Sequence, residues 1–285
     1  MSNKKYDLAV CYRVYPGISK IPPVFSNNKL KLTEYCLRSF IESTSQLNIK
    51  MYVILDGCPK EYDILFKKYF SQENLEIIHT NKIGNGETFL LQMKTLLDQD
   101  DSDYIYFAED DYFYFPSAFN EMLDLMKTNA DADFLSPYDH PDYNNLGIHK
   151  LKNKKNLMSS RNWNTVATTC MTFLTTKTSL RLTQSAFLKY NKSIFDTGVW
   201  LSITKIGILN PIHWLKLLIT DRASLKTYIK TIIELNFKII FTPKIHLLTP
   251  KPTLAVHLES GFLPNGFNWD KEFQTKIYYK EIFNS

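Results

Sequence analysis

The chain predicts an α/β fold, a mainly parallel central sheet flanked by helices, and three observations lead there. Short apolar, β-rich runs alternate with segments of helical spacing. The runs end at turn signals or at acids. The composition is that of a packed globular protein, with 44% hydrophobic and 22% charged residues, which excludes a disordered chain.

The elements follow in order. "DLAVCYRVY" (7–15) is a buried strand ended by Pro16-Gly17. Over residues 29–46, Leu32, Tyr35, Cys36 and Phe40 recur at near-helical spacing. "KMYVILDGCP" (50–59) is a second strand that stops at Asp-Gly, and a helical segment, "KEYDILFKKYF", follows it. "LEIIHT" (75–80) is a third strand. The glycine-bearing loop "NKIGNGET" (81–88) then leads into the helix "TFLLQMKTLLDQ". "DYIYFAEDD" (103–111) is a fourth strand that ends in acids, and Pro116 opens a helix over "SAFNEMLDLMK".

The second half is less regular. The Thr-rich "TVATTCMTFLTT" (165–176) reads as a strand, and "LKYNKSIFDTGVWLSITKIG" (188–207) as a loop entering a helix closed by Gly207. "FKIIFTPKIHLL" (237–248) has strand character, and "TLAVHLESGFLPNGFNW" (253–269) reads as a strand running into a loop. No strong boundary divides the 285 residues. We expect one domain with halves 1–116 and 117–270, a helical insertion over 208–235, and a tail at 271–285.

Charge narrows the function classes. The balance of 34 Lys+Arg against 29 Asp+Glu gives +5, with no dense basic stripe, so a dedicated nucleic-acid binder is not expected. Cys11, Cys36, Cys58 and Cys170 form no CxxC pair, which argues against a zinc knuckle or a disulfide framework and for a reducing cytosol. The start lacks the apolar core of a signal peptide, and no run reaches the roughly 18 apolar residues of a spanning helix. The basic, apolar stretch 205–245 is a candidate for resting on the inner face of a membrane, with an ordinary helical core as the alternative.

In parallel sheets ligands bind beyond the carboxyl ends of the strands, and both Asp56 and Glu109-Asp110-Asp111 stand at such ends. Three adjacent acids are too costly to bury unpaired, so they face water, a cation, or both. Hard divalent ions prefer carboxylate oxygens and keep positions open for phosphate. The glycine loop at 84–86 offers backbone amides to an anion. The alternative is that the acids form a solvated turn and that Asp56-Gly57 is only a turn.

Together, "AVCYRVYPG", "LKLTEYCLRSFIEST", "YVILDGCP", "GNGETFLLQMKTLL" and "YIYFAEDDYFYFP" resemble the nucleotide-sugar-binding half of GT-A (Rossmann-like) glycosyltransferases. The similarity is to the large inverting family that makes bacterial polysaccharides. That family has a strand ending in paired aspartates, then an Asp-x-Asp metal motif with a proline five residues later. Here Glu109 replaces the first aspartate of the motif, Pro116 holds the later position, and a single Asp56 stands for the pair. The resemblance implies that Asp56 and Gly86 contact the nucleotide and that Glu109 or Asp110 faces ribose or ordered water. It also implies that Asp111 ligates Mn²⁺ or Mg²⁺ bridging the diphosphate.

In the second half the resemblance implies a general base at a helix start. Asp196 in "FDTGVWLSITKIG" fills that place, although Phe195 stands where an acidic neighbour is usual, and an N-cap role is the alternative. His257 in "TLAVHLESG" is the implied late metal ligand; His79, His140, His149, His213 and His246 fit that position less well. Arg161, Trp163 and Trp200 are candidates for the acceptor or sugar pocket. The implied activity is transfer from a nucleoside-diphosphate sugar, UDP by default, to a hydroxyl of a glycan or lipid-linked glycan. A sugar-1-phosphate nucleotidyltransferase and a non-catalytic binding protein of the same fold are the competing readings.

Overall fold

The computed structural model describes residues 5–18, 20–149, 156–190, 195–235 and 243–284. β1 (Leu8–Val14) is buried along its whole length. Leu8, Val10, Tyr12 and Val14 enter one apolar cluster, while Ala9 and Cys11 enter another on the opposite face. This is the period-two pattern of a strand sandwiched between two layers. β2 (Ile49–Asp56), β3 (Leu75–Thr80) and β4 (Tyr104–Glu109) run parallel to it in the order β3-β2-β1-β4.

The crossovers are α1 (Lys29–Ser43), α2 (Lys60–Tyr69) and α3 (Asn85–Asp98). Asn28 caps α1, its side chain accepting from the Lys31 amide at 3.0 Å. Since β2 lies on one side of β1 and β4 on the other, the connections diverge between β1 and β4 and leave a crevice beyond their carboxyl ends. Arg13 and Glu109 are register partners at that edge. Gln92 of α3 is fully buried and donates to the carbonyls of both Cys11 and Ala108, which ties the helix to the two strands bordering the crevice.

β5 (Tyr112–Tyr114) leaves the main sheet after a turn at Asp110-Asp111 and pairs antiparallel with β11 (Ala255–His257). The strands β6 (Phe134–Leu135), β7 (Asn156–Met158), β8 (Asn162–Thr165), β9 (Phe173–Thr176) and β10 (Leu247–Lys251) extend the same sheet beyond β4, in the order β9-β6-β10-β8-β7. Only β9 and β8 run against their neighbours, so the nine-stranded sheet is mainly parallel and draws on both halves of the chain. The helix α4 (Ala118–Thr128), which starts two residues after Pro116, packs on the face of α1. The short α5 (Asp142–Asn145) precedes β7. The helices α6 (Lys177–Phe187) and α7 (Asp196–Thr204) pack on the face of α3, and α8 (Pro211–Thr220) with α9 (Arg222–Leu235) forms the helical pair expected within 208–235.

Several sequence expectations need correction. The strand expected over 165–176 is interrupted. Residues 166–172 are irregular because their hydroxyls bond other side chains: Thr169 donates to Ser136 at 2.8 Å and Thr172 to Glu109 at 2.8 Å. The helix α7 is closed by Lys205, at φ 55°, two residues before Gly207. Of the expected strand 237–248, residues 237–242 lie outside the described residues, and the described strand starts at Leu247.

Neither candidate tryptophan reaches a pocket. Trp163 of β8 is fully buried in the cluster on the α1 face. Trp200 is also fully buried and packs edge-on against Phe134, Phe173 and Phe187, with centroids 5.1–5.4 Å away. Asp196 and Trp200 are four residues apart, but α7 turns the indole into the core. Trp200→Ala is therefore expected to lower stability by ~3–5 kcal/mol in urea unfolding. A stable variant altered only in acceptor KM would return Trp200 to the pocket.

Candidate active site

A cleft of about 860 Å³ lies at the carboxyl ends of β1, β2 and β4. Asp56, Glu109, Asp110, Asp111, Asp196 and His257 all line it, although they come from five different elements or turns. The fold thus brings together the acids that sequence reasoning placed at strand and helix ends.

The three consecutive acids are held in different ways. Glu109 forms an ion pair with the buried Arg13 of β1 and also accepts from Thr172. Asp110 is buried and accepts from Lys29 Nζ at 2.9 Å, Thr33 Oγ1 at 3.2 Å and the Tyr15 amide at 3.3 Å. Burial pushes its carboxyl up, and Lys29 opposes that shift. Asp111 turns into the cleft. Its Oδ2 stands 3.1 Å from His257 Nε2, while Oδ1 is buried and has no hydrogen-bond partner among the described residues. Burial opposes ionisation of Asp111, but His257 outweighs it and holds the group well below the usual carboxylate range.

His257 owes its place to the β5–β11 ribbon. It is the register partner of Tyr112, whose ring stacks on the imidazole at 5.1 Å, and the Leu258 amide donates to the Asp111 carbonyl at 2.8 Å. Glu259 Oε2 lies 3.5 Å from its Nδ1. Burial disfavours the imidazolium, but Asp111, Glu109 and Glu259 together raise its pKa to about 9.

A buried carboxylate oxygen without a partner beside an imidazole is a donor set that fits a divalent cation. Carboxylate suits Mg²⁺ and Mn²⁺, and imidazole tilts the choice toward Mn²⁺. Among the described residues no group of three or more His, Cys, Asp or Glu stands ready to hold a metal. Asp111 and His257 would therefore leave most coordination positions to a ligand and water.

Asp196 is the first residue of α7, and Phe195 occupies the cap. Among the described residues its carboxylate accepts only from the adjacent Thr197, at 2.7 Å to the amide, so it does not cap the helix in the usual way. No cation among the described residues pairs with it. Burial raises its pKa, Thr197 opposes that, and the charge of Glu109 adds to the rise.

Other expected roles shift. Asp56 accepts from Thr80 Oγ1 and from the amides of Ile83 and Gly84 at 2.8–3.0 Å, so its carboxylate shapes the loop that walls the cleft. Gly86 lies in the first turn of α3 and does not line the cleft; Gly84, at φ 87°, and Asn85 do. Arg161 is also outside the cleft. It grips both oxygens of Glu121 at 2.7 and 2.8 Å and donates to the Pro252 carbonyl at 2.6 Å, joining α4 to the end of β10.

Sequence reasoning missed Arg13, Lys29 and Lys82 and ranked His140 below His257, yet all four line the cleft. Arg13, an arginine inside an apolar strand run, was the one visible signal. Lys82 holds φ 55°, and its side chain lies across Gly57, where an added Cβ would stand 2.4 Å from Lys82 Cγ.

No protein-family profile matches the chain, and no curated protein does. Among solved structures it is similar to S. aureus TarS 1–349, at 12% identity and a TM-score of 0.46 over 81% of this chain and 73% of that one. Against TarS in complex with UDP-GlcNAc the identity is 13% and the TM-score 0.41, over 61% of this chain; the chain spans about half, 46%, of that structure's length. The galactosyltransferase LgtC, in complex with donor and acceptor sugar analogues, gives 10% identity and a TM-score of 0.45 over 97% and 95%. These superpositions are loose, and the side chains of the cleft carry the functional reading.

Arg161→Ala leaves Glu121 without its cation. Burial disfavours the Glu121 carboxylate, but Arg161, Ser117 and Ser160 outweigh that and hold its pKa below the ordinary value. The variant should lose ~2–4 kcal/mol of stability near neutral pH. That loss should shrink as acid protonates Glu121, because a depressed carboxylate stabilises the fold only while it is ionised. Urea unfolding at two pH values checks this; a loss that grows in acid would contradict it.

Proposed function

We propose that this chain is a GT-A-type glycosyltransferase that moves a sugar from a nucleoside-diphosphate donor to an acceptor hydroxyl with inversion. The observation that carries the reading is Asp111: its buried Oδ1, unpartnered among the described residues, lies beside His257, in the same cleft as Asp196, which no cation among the described residues pairs. A solvated turn would not bury that oxygen, and a helix cap would not leave Asp196 bonded, among the described residues, to Thr197 alone.

Asp111 and His257 would hold Mn²⁺ or Mg²⁺. The ion supplies positive charge where the departing diphosphate develops negative charge. His257 must lose its proton to serve as a ligand, so metal binding is coupled to proton release. Arg13 and Lys29 hold Glu109 and Asp110 in place through ion pairs. Asp56 keeps the 82–84 loop in position along the nucleotide side of the cleft.

Asp196 takes the proton from the acceptor hydroxyl as the oxygen attacks the anomeric carbon from the face opposite the leaving group. The C–O bond to the diphosphate breaks in the same displacement, so one base suffices and no enzyme nucleophile is needed. Its raised pKa makes it a stronger proton acceptor than an exposed carboxylate. UDP is the favoured nucleotide on the sequence resemblance, and a glycan or lipid-linked glycan the favoured acceptor.

One observation favours a metal-free variant of this reading. Lys20, Lys29 and Lys82 line the same cleft, and the described residues offer no three-ligand cluster. Transfer unchanged by a chelator would establish it.

Two measurements separate the roles. In calorimetry with Mn²⁺, Asp111→Asn should weaken UDP binding by at least about tenfold. Asp196→Asn should bind UDP like the wild type yet transfer ~10²–10⁴-fold more slowly. Wild-type transfer in both variants would refute the scheme, and release of pyrophosphate from NTP and sugar phosphate would identify a nucleotidyltransferase instead.

The second measurement is the pH profile of kcat/KM. Asp196 must be ionised to accept the proton, so activity should fall with decreasing pH along a limb above the ordinary carboxylate range. A limb at the ordinary value would contradict burial as the source of its basicity.

A further inference from the structure

The pair α8–α9 carries chemistry that the transfer site does not use. Along α8 the exposed residues Ile212, Leu215, Leu218 and Ile219 recur at i, i+3, i+6 and i+7, so they form one apolar arc. Ile212 is 76% exposed and Ile219 86%, whereas Leu217, on the opposite side, is buried. Between the two helices runs a wholly apolar groove of about 540 Å³, lined by residues that include Leu209, Trp214, Leu225 and Ile229. A continuous apolar surface of this kind marks an interaction face.

The pair is fixed to the body and is not a loose appendage. Asp221, between the helices, accepts from the Gly147 amide at 2.8 Å and from Ser224, and the Tyr228 hydroxyl donates to the Ile206 carbonyl at 3.2 Å. Gly147 has no room for a side chain, since an added Cβ would lie 2.7 Å from Leu217.

We propose that the α8–α9 pair seats the protein on an anionic membrane surface, with the apolar arc in the acyl boundary and the surrounding cations on lipid headgroups. The charge pattern selects this occupant. Residues 205–235 hold five cations (Lys205, Lys216, Arg222, Lys226, Lys230) and two anions (Asp221, Glu234), a balance of +3 out of +5 for the whole chain. Asp221 is engaged inward, whereas Lys216, Arg222, Lys226 and Lys230 are exposed. Apolar residues rimmed by lysine and arginine are the composition of an interfacial helix. A self-complementary contact with a second copy would press these cations against their own copies.

The placement bears on the acceptor, a step that rests on the transferase reading. Ala223, Ser224 and Thr227 of α9 line a cavity of about 190 Å³ that shares His140, Asp142, Cys170 and Asp196 with the main cleft. The base is thus reached from the side of the membrane-facing pair, which suits a hydroxyl carried on a lipid.

Flotation of the full chain with phosphatidylcholine vesicles, with and without phosphatidylglycerol, tests the docking and needs neither donor nor acceptor. Its outcome is therefore independent of whether the protein transfers sugar. The wild type should float with anionic vesicles and not with neutral ones. Ile212→Ser/Leu215→Ser/Ile219→Ser and Lys216→Glu/Arg222→Glu/Lys226→Glu should each weaken binding by about tenfold or more, with thermal midpoints near the wild type because the residues are exposed. Equal binding to neutral vesicles, or binding unchanged in either variant, would overturn the proposal. So would a dimer in sedimentation that the triple serine variant dissolves.

Discussion

Three consecutive carboxylates at the end of a buried strand impose the constraint on which the site depends. Each needs a compensating cation, and each draws it from a different element. Arg13 of β1 serves Glu109, Lys29 of α1 serves Asp110, and His257 of β11 serves Asp111. The parallel pairing of β1 with β4 supplies the first, the packing of α1 the second, and the β5–β11 ribbon the third. The carboxylates thereby differ in kind: two are closed off by protein partners, and only Asp111 keeps a buried oxygen unpartnered among the described residues.

That asymmetry explains how an unusual first member of the acidic motif fits the fold. Glutamate is longer than aspartate, and Glu109 reaches both Arg13 and Thr172, so it braces the floor of the cleft. The irregular 166–172 segment supplies that threonine, and its departure from strand geometry is part of the same arrangement. Across the cleft Asp196 has the opposite environment: burial with no paired cation among the described residues, which raises its pKa. His257 holds Asp111 ionised while burial makes Asp196 basic, a division of roles that environment alone produces.

Much of the first half was legible because its signals are local. Apolar runs closed by acids or glycine gave β1 to β4 and their crossovers, and the strand-end rule put Asp56 and Asp111 in one crevice. The partner cations were not legible, since they lie 96, 81 and 146 residues away from their acids. Trp163 and Trp200 were misassigned because side-chain type does not say which way a strand or helix turns it, and here both face the core. Arg161 was misassigned for a related reason: its partner Glu121 sits 40 residues earlier on α4. In 205–235 the same apolar spacing fits a buried helix or an interfacial one, and only the exposure of Ile212 and Ile219 separates the two.

The proposed transfer depends on Asp111 and His257 forming a cation site for a nucleoside diphosphate. Anomalous diffraction at the manganese edge from crystals grown with Mn²⁺ and UDP tests it most directly. An anomalous peak is expected between Asp111, His257 and the diphosphate oxygens. A diphosphate bound in the cleft by Lys29 and Lys82, with no anomalous density at Asp111, would contradict it.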